Sequence, residues 1–485
     1  MASLSYRFQN SFWLYSIWGV LAAIGAGYLV GTLEFVGSAL VVIVPVAILL
    51  VVGVLMEPRF GLLLYLQMSF LVNFLARFLP VSAPFGLMVD AILVLVLFSI
   101  FVNGKKMQWN RLRNPAVYLV GIWFLYNILE LFNPEAPYKP AWFFHVRTFS
   151  VQWFLVAIIL LVVPVTKKDI RVLINSWLIW SFCGALWGFK QQYIGLTTAE
   201  NIWLNTAGAT THLIFGHLRS FSFYSDAAQF GGEMSGLALV CLIWTFEKKD
   251  WYQKAFFAFL TLVFFWGYVV SGTRSALFVL LAGFPFYLLL KRDFVKLALG
   301  FCLATPLLLI LLYTNAGSGN YDVQRMRSAL RPMEDPSFLL RLQNQQKLSA
   351  HLKDLPFGAG IGTAADAGNR FSPEHFAAQI PPDSWYVELW IETGVVGLTL
   401  YICMLIGLIG IGVYHVWRLK DPWTTYVMYA LLAEFFGMAV MAYSNPVLGQ
   451  FPTSSIIFIN SILLASCYRW DHPGDELATK PVANS

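Results

Sequence analysis

The chain alternates long apolar runs with short polar connections along most of its length. An apolar run of about 17–25 residues can cross a bilayer as a helix, and about 14 runs approach this length. They lie near 12–30, 35–56, 60–78, 84–102, 115–132, 149–165, 172–189, 232–246, 254–270, 275–290, 295–313, 386–414, 424–442 and 452–468. The pattern predicts an all-α polytopic membrane protein with about 12–14 transmembrane helices. The first run has no small-residue cleavage pattern, so we expect it to be a retained anchor.

The basic residues of the polar connections cluster on one side of the predicted membrane. When the spans alternate, the basic connections fall on the same side as the N-terminus; they are 103–114, 167–171, 248–249, 291–292 and 418–420. Cytoplasmic loops carry an excess of Lys and Arg, so this side is predicted to be cytoplasmic. Both termini are therefore expected in the cytoplasm.

The opposite, external side receives one connection large enough for a subdomain, from 315 to about 385. A loop of this length is uncommon unless it is functional or disordered. We therefore divide the chain into four parts. They are transmembrane helices with external arginine motifs (1–313), a large external loop with helices (314–385), C-terminal transmembrane helices (386–470) and a disordered cytoplasmic tail (471–485).

Composition supports the membrane class: 58% of the residues are hydrophobic, only 12% are charged, and the mean hydropathy is +0.66. A net charge of +6 does not indicate nucleic-acid binding, because the charges lie in short loops between apolar runs. All five cysteines lie inside apolar runs, which argues against disulfides and metal ligation. Motifs of soluble enzymes are absent from the sequence, and we expect Gly358-Ala-Gly-Ile-Gly-Thr363 to be a turn rather than a phosphate loop.

Arginines accumulate on the predicted external side, against the usual bias. They are Arg147, Arg219, Arg274, Arg327, Arg331 and Arg341. One interpretation is contact with lipid headgroups or helix capping. The other is that guanidinium groups bind a diphosphate through paired hydrogen bonds and stabilise it as a leaving group. Lys190 lies at the end of a span and is either an interfacial anchor or a contact for an acceptor sugar.

Four motifs in this order resemble the O-antigen ligase and O-antigen polymerase superfamily. They are Arg219-Ser-Phe-Ser-Phe-Tyr-Ser-Asp-Ala-Ala-Gln-Phe-Gly231, Ser271-Gly-Thr-Arg-Ser-Ala276, the helix-like segment 341–348 leading to Pro356-Phe-Gly-Ala-Gly-Ile-Gly362, and Asp383-Ser-Trp-Tyr-Val-Glu-Leu-Trp-Ile-Glu-Thr-Gly-Val-Val-Gly397. The resemblance covers roughly 140–415.

The resemblance implies a metal-independent, cofactor-free glycosyltransferase of the bacterial inner membrane, with its active site facing the periplasm. Its donor would be a glycan linked to undecaprenyl (polyprenyl) diphosphate, and its acceptor another glycan or a lipid-linked core, as in lipopolysaccharide or exopolysaccharide synthesis. By the same resemblance Arg219 and Arg274 contact the diphosphate, and Arg341 is the arginine of the loop helix. Arg147, Lys190, Arg327 and Arg331 are candidates for further substrate contacts.

One departure concerns the general base. Family ligases commonly have His-Asn where this chain has Asp383-Ser384, and the family histidine is the usual candidate for activating the acceptor hydroxyl. Asp383 either takes this role or only caps the following helix. Glu388 and Glu392 share one face of that helix, and each is either a further candidate for the base or a partner of an arginine. His351 and His375 of the loop are also candidates, although a lone loop histidine is more often a surface residue than a catalytic one. The departure favours a polymerase over a ligase.

Two other classes of protein remain open at this point. A secondary transporter or a flippase for lipid-linked glycans would carry ionisable residues at mid-membrane, and Asp90, Glu130 and Glu434 are the main charges inside spans. A structural partner without chemistry would leave the external arginines unexplained.

Overall fold

The computed structural model describes residues 41–79, 84–214, 216–314 and 336–471, together with positions 38, 319, 327, 331 and 333. Every predicted span from 35–56 onward coincides with a helix, which confirms the all-α class. The predicted span 12–30, most of 315–335 and the tail from 472 lie outside the described residues. The helices are α1 (Val41–Met56), α2 (Pro58–Phe78), α3 (Gly86–Val102), α4 (Pro115–Leu129), α5 (Lys139–Val146), α6 (Gln152–Val162), α7 (Lys167–Phe189), α8 (Thr198–Trp203), α9 (Ala209–His212), α10 (Ala227–Glu247), α11 (Trp251–Ser271), α12 (Leu277–Leu290), α13 (Phe294–Tyr313), α14 (Pro336–Leu352), α15 (Ala365–Phe371), α16 (Phe376–Gln379), α17 (Trp385–Val416), α18 (Pro422–Met441) and α19 (Thr453–Ala465).

The helices have the lengths and surfaces expected in a bilayer. Among the described residues, eight helical segments are long and apolar enough to cross a membrane, and four further apolar helices are shorter. Large apolar side chains such as Phe256, Phe259 and Leu262 on α11 are exposed, as expected for a surface that faces lipid. A two-residue antiparallel pair, β1 (Leu213–Ile214) and β2 (His217–Leu218), interrupts the helical pattern just before Arg219.

Helix α10 is central to the packing, because 89% of the residues in its most apolar 18-residue stretch are buried. Small residues on its first two turns allow close approach of neighbours. A Cβ at Gly231 would lie 2.3 Å from Ser271 Oγ at the end of α11, and one at Gly232 would lie 2.9 Å from Met441 Sδ at the end of α18. The contact at Gly231 is far below van der Waals distance, so glycine is required there, whereas a Cβ at Gly232 would displace the flexible end of Met441. The ends of α11 and α18 are thereby held beside the N-terminus of α10.

The basic connections gather at the other end of α10. Lys291 Nζ pairs with Glu247 on the last turn of α10, and Lys167 Nζ lies 3.0 Å from Asp421 Oδ2. Lys248 donates a 2.6 Å hydrogen bond to the Tyr426 hydroxyl. These loops therefore lie at the opposite end of α10 from Arg219, as the alternating topology predicts. Which end faces the cytoplasm stays a prediction.

The glycine-rich segment 358–363 docks on a break in α17. Gly394 interrupts this helix with φ of +66°, and a Cβ there would lie 2.0 Å from Pro356 O. The amides of Ala359 and Gly360 donate to Ile391 O (2.7 Å) and Glu392 O (3.0 Å). These N–H groups are committed to the helix break and cannot bind a phosphate. The segment is therefore the turn we expected, and it leads into α15.

The described part of the predicted external loop does not stand apart from the membrane helices. Residues Leu348, Leu352 and Ala377 of α14 and α16 share a small apolar cluster with Val387 and Ile391 of α17. Such burial joins the loop helices to the first turns of α17. The boundary proposed at 385 thus falls within one packed unit, while the division into four domains stays a prediction.

Candidate functional site

A cavity of about 600 Å³ opens at the N-terminal end of α10. It is lined by residues from all four sequence motifs, the third of which contributes Arg341 of the loop helix α14. Arg219, Arg274, Arg341 and Asp383 all line it, so four of the predicted site residues are brought together. The described lining also includes the imidazole of His212 and the carboxylate of Asp226. Three guanidinium groups against two carboxylates, with a neutral imidazole, make the cavity electropositive, which suits an anionic ligand.

Arg219 joins the first arginine motif to the second. Its Nε donates to Ser271 O (3.2 Å) and its Nη2 to Thr273 Oγ1 (2.8 Å), both in the turn that precedes Arg274. Its Nη1 donates to Thr211 O (2.8 Å). Arg219 thus fixes the position of the Arg274 turn as well as adding charge to the cavity. Arg219 and Arg274 therefore lie at the same end of the pair formed by α10 and α11.

The segment that carries Arg219 is held from behind by two residues that the sequence reading did not single out. Arg77 of α2 lies against the rings of Trp203 and Phe221, at 4.4 and 4.7 Å from their centroids. It also donates to Ser222 O (2.8 Å) and Tyr224 O (2.7 Å). Gln191 Oε1 accepts from the amides of Phe221 (3.1 Å) and Ser222 (2.7 Å). A half-buried arginine that stacks on aromatic rings and donates to carbonyls makes this segment rigid.

Arg274 begins the short 3₁₀ turn Arg274–Ala276 that follows α11. Helix α11 ends at Gly272 in the left-handed region (φ +56°), the common way to terminate a helix and turn the chain. Asn445, which follows α18, donates a hydrogen bond to Ser275 Oγ. The second motif is therefore a helix-terminating turn that is fixed to the C-terminal half of the bundle.

Arg341 and Asp383 face each other across the cavity mouth. Arg341 Nε lies 3.9 Å from Asp383 Oδ2, and 34% and 41% of the two side chains are exposed. The N-cap of α17 is Ser384, whose Oγ accepts from the Val387 amide. Asp383 lies one residue earlier, in the left-handed region with φ of +50°. The interpretation that Asp383 caps α17 is therefore wrong, and its carboxylate projects into the cavity instead.

The other carboxylate of the lining, Asp226, has a structural role. It is the N-cap of α10, and its Oδ1 accepts from the amides of Ala228 (2.7 Å) and Gln229 (2.9 Å). Its Oδ2 accepts from Gln450 Nε2 (2.9 Å). A carboxylate engaged in this way stabilises the helix N-terminus and is not available as a base.

His212 is a buried cavity residue that the sequence reading missed. Its Nε2 accepts from the Ala227 amide (3.1 Å), and its Nδ1 lies 3.0 Å from Gly208 O, to which it donates. Burial lowers the pKa of His212 to about 4, and nearby Arg219 acts in the same direction, while Asp226 opposes the shift. Both ring nitrogens are occupied, so the neutral imidazole supports the start of α10. A lone histidine in a polar loop offers no pattern that would have revealed this.

Four predicted contacts do not line the described part of the cavity. Arg147 pairs with Asp90 of α3, and Lys190 Nζ lies 2.8 Å from Glu200 Oε2. Burial alone would raise the pKa of Glu200, but hydrogen bonds from Lys190, the Thr197 amide, Gln191 and Trp187 lower it to about 2. Arg331 donates to Leu312 O, and Arg327 is half-buried. Arg147 therefore stabilises the helix bundle through α3, and Lys190 stabilises the connection that contains α8.

Glu388 and Glu392 point away from this cavity, as far as the described residues show. Both are buried on α17 and approach His145 of α5, with Nε2 at 3.4 Å from Glu388 Oε1 and 3.2 Å from Glu392 Oε2. The other oxygen of Glu392 accepts from the amides of Gly362 (3.0 Å) and Ala364 (3.3 Å). The two glutamates share a helix face as predicted, but they hold the glycine-rich segment and not the arginine cavity.

Comparison with known proteins is consistent with the residues that line the cavity. A search of curated proteins gave no match to this chain. The family model described as O-Antigen ligase matches residues 256–402, a range that includes Arg274, Arg341 and Asp383. The matched family supports a membrane-bound glycosyl-transfer enzyme that acts on lipid-linked glycans. The match over residues 256–402 thus bears out the resemblance of this chain to the O-antigen ligase and polymerase superfamily.

Proposed function

We propose that this protein transfers a glycan from polyprenyl diphosphate to a hydroxyl of an acceptor glycan or lipid-linked core, with the arginine cavity as its active site. The observation that carries the proposal is the convergence of Arg219, Arg274 and Arg341, from three separate parts of the chain, on one cavity beside Asp383. Isolated arginines near a membrane are explained by lipid headgroups, but three that share a pocket favour a multivalent anion.

The proposed reaction is a direct displacement at the anomeric carbon. The acceptor oxygen forms the new bond to this carbon while the bond to the diphosphate oxygen breaks, and that oxygen keeps the electron pair. Arg274 and Arg341 stabilise the charge that develops on the diphosphate, with Arg219 adding to the field and holding the Arg274 turn. The acceptor proton passes to the Asp383 carboxylate, and the anomeric configuration inverts.

Arg341 and Asp383 have different roles in this single displacement although they face each other. Their 3.9 Å separation is longer than a hydrogen bond. Asp383 is therefore within reach of the guanidinium but not held by it, and a substrate that binds Arg341 would separate the two. The partly exposed carboxylate of Asp383 meets the acceptor, while the three arginines of the cavity meet the diphosphate of the donor.

The cell side and the substrates are part of the same proposal. The basic loops lie at the other end of α10, so the positive-inside rule puts the cavity on the external, periplasmic face of the bacterial inner membrane. The donor there is a glycan on undecaprenyl diphosphate, and we favour polymerisation over ligation because Asp383-Ser384 replaces the ligase His-Asn pair. Arginine side chains supply the charge stabilisation in this scheme, with no cofactor taking part.

Binding of the diphosphate product tests the proposal without the chemistry. Polyprenyl diphosphate should bind the purified protein, and Arg274→Lys should weaken binding about 10- to 100-fold, because lysine keeps the charge but not the paired donors. Arg370→Lys is the matched control, since this exposed arginine stacks on Phe371 outside the cavity and should bind normally. Equal binding by all three proteins would contradict the proposal.

The transporter alternative has one feature in its favour. Glu233 of α10 and Glu434 of α18 are buried inside spans, where ionisable groups are usually functional. However, Glu233 accepts from Trp177 and Thr453, and Glu434 accepts from Asn460, so each carboxylate has a partner. Uptake of a lipid-linked glycan into vesicles without release of polyprenyl diphosphate would favour the transporter.

A further inference from the structure

A second cluster of ligand-type side chains lies outside the arginine cavity and has no part in the proposed transfer. It consists of His145 on α5 with Glu388 and Glu392 on α17, and one ligand atom from each lies within 4.8 Å of the others. Glu392 is 0% exposed and the Glu388 side chain 6%, whereas the His145 side chain is 18% exposed. Two acidic groups and one imidazole are thus enclosed together, which is costly unless their charge is balanced.

The contacts of the cluster do not have the geometry of hydrogen bonds. His145 Nε2 and Glu392 Oε2 are both buried, and neither has a hydrogen-bond partner in the described structure. His145 Nε2 lies 3.2 Å from Glu392 Oε2 and 3.4 Å from Glu388 Oε1. Both distances are longer than a charge-assisted hydrogen bond, which measures about 2.7–2.9 Å. A single Nε2–H shared between the two carboxylates forms only a long three-centre contact. An imidazolium therefore satisfies this arrangement poorly.

The same distances fit ligands around a metal ion. Ligand atoms that bind a tetrahedral ion at about 2.0–2.1 Å lie about 3.3–3.4 Å from one another. The two His145 distances, 3.4 and 3.2 Å, are close to this value. A divalent cation with a neutral imidazole and two carboxylates also has no net charge, whereas an imidazolium with two carboxylates leaves one uncompensated negative charge.

We propose that His145, Glu388 and Glu392 bind a divalent transition-metal ion of the size of zinc. His145 would contribute Nε2, Glu388 Oε1 and Glu392 Oε2, and the partial exposure of His145 leaves room for water as a fourth ligand. The role of this ion is structural. Glu392 binds the amides of Gly362 and Ala364 with its other oxygen, so the ion joins α5, the broken helix α17 and the glycine-rich segment.

The metal content of purified protein tests this proposal. The protein is stripped with chelator, exposed to zinc chloride, desalted and analysed by elemental mass spectrometry. Wild type should retain about one zinc per chain, and Glu388→Gln should retain almost none. Glu434→Gln is the matched control, since it removes a buried carboxylate from another helix and should retain zinc like the wild type. Zinc uptake by wild type no greater than that by Glu388→Gln would overturn the proposal.

A measurement on the unaltered protein keeps the test valid if Glu388→Gln fails to fold. Cobalt(II) chloride is titrated into stripped wild type, and the visible d–d absorption of low-symmetry cobalt should grow until one equivalent is bound. Zinc should then displace it and abolish the absorption. Addition of zinc should also raise the melting temperature of stripped wild type. No cobalt absorption together with an unchanged melting temperature would show that the cluster is only an ion-paired group.

Discussion

Replacing Asp383 by asparagine tests whether this residue acts as the general base or has only a structural role. Asn has the same shape and tolerates the left-handed backbone that Asp383 adopts at φ of +50°. Helix α17 keeps its cap, because Ser384 and not Asp383 accepts from the Val387 amide. The substitution removes the ion pair with Arg341, whose Nε lies 3.9 Å from the carboxylate in a region where both side chains are about one-third exposed or more.

The expected magnitudes differ widely. A solvent-exposed ion pair contributes about 0–1 kcal/mol, so Asp383→Asn should leave the free energy of unfolding nearly unchanged. Loss of a general base costs about 10²- to 10⁴-fold in rate, which is roughly 3–5 kcal/mol of transition-state stabilisation. A large loss of turnover without a loss of stability is therefore the expected signature.

The assay follows release of polyprenyl diphosphate from a lipid-diphosphate oligosaccharide, alongside the melting temperature of each protein. Ser384→Ala is the control: it removes the cap and should lower stability by about 0.5–2 kcal/mol while most of the turnover remains. If Asp383→Asn kept nearly wild-type turnover, Asp383 would not be the base. If it melted as early as Ser384→Ala, the assignment of the cap to Ser384 would be wrong.

Three further predictions concern the scaffold around the cavity. Arg219→Ala should lower stability by about 2–4 kcal/mol as well as activity, because it removes three hydrogen bonds to Ser271, Thr211 and Thr273; thermal denaturation that matches wild type would contradict this. The pKa of His212 is lowered to about 4, so the folded state disfavours its protonation, and about 3 kcal/mol of stability present above pH 6.5 should be lost as the pH falls towards 4. His212→Gln should flatten the dependence of the free energy of unfolding on pH in this range, and an unchanged dependence would refute the assignment. Gly394→Ala should destabilise by about 2 kcal/mol or more, since φ is +66° and Pro356 O blocks a Cβ; Gly410→Ala in the same helix meets open space and should be neutral or stabilising in the same melting experiment.

The sequence was sufficient to predict the helices and the proximity of Arg219 to Arg274, because both depend on patterns local to the chain. Apolar runs determine the spans, and the two spans between Arg219 and Arg274 return them to one end of the bundle. The sequence left Asp383 open as either the base or the cap of α17, since Asp383 and Ser384 both have side chains that cap helices and only the backbone angles distinguish them.

The remaining features depend on contacts between distant segments. His145 approaches Glu388 and Glu392 only because α5 packs beside the broken helix α17, and no spacing in the sequence links them. The same is true of Arg77, which supports the Arg219 segment across the bundle. Both belong to the class of contacts that hydrophobic periodicity cannot specify, because periodicity gives the face of a helix but not its neighbour.

The claim that the arginine cavity holds the diphosphate of a lipid-linked donor is tested most directly by turnover of the purified protein. Wild type, Arg274→Lys and Arg370→Lys are incubated with a polyprenyl-diphosphate oligosaccharide and an acceptor glycan, and released polyprenyl diphosphate is measured together with the lengthened glycan. We expect both products from wild type and Arg370→Lys, and about 10²-fold less of each from Arg274→Lys. Equal turnover by Arg274→Lys, or no product from wild type, would contradict the account.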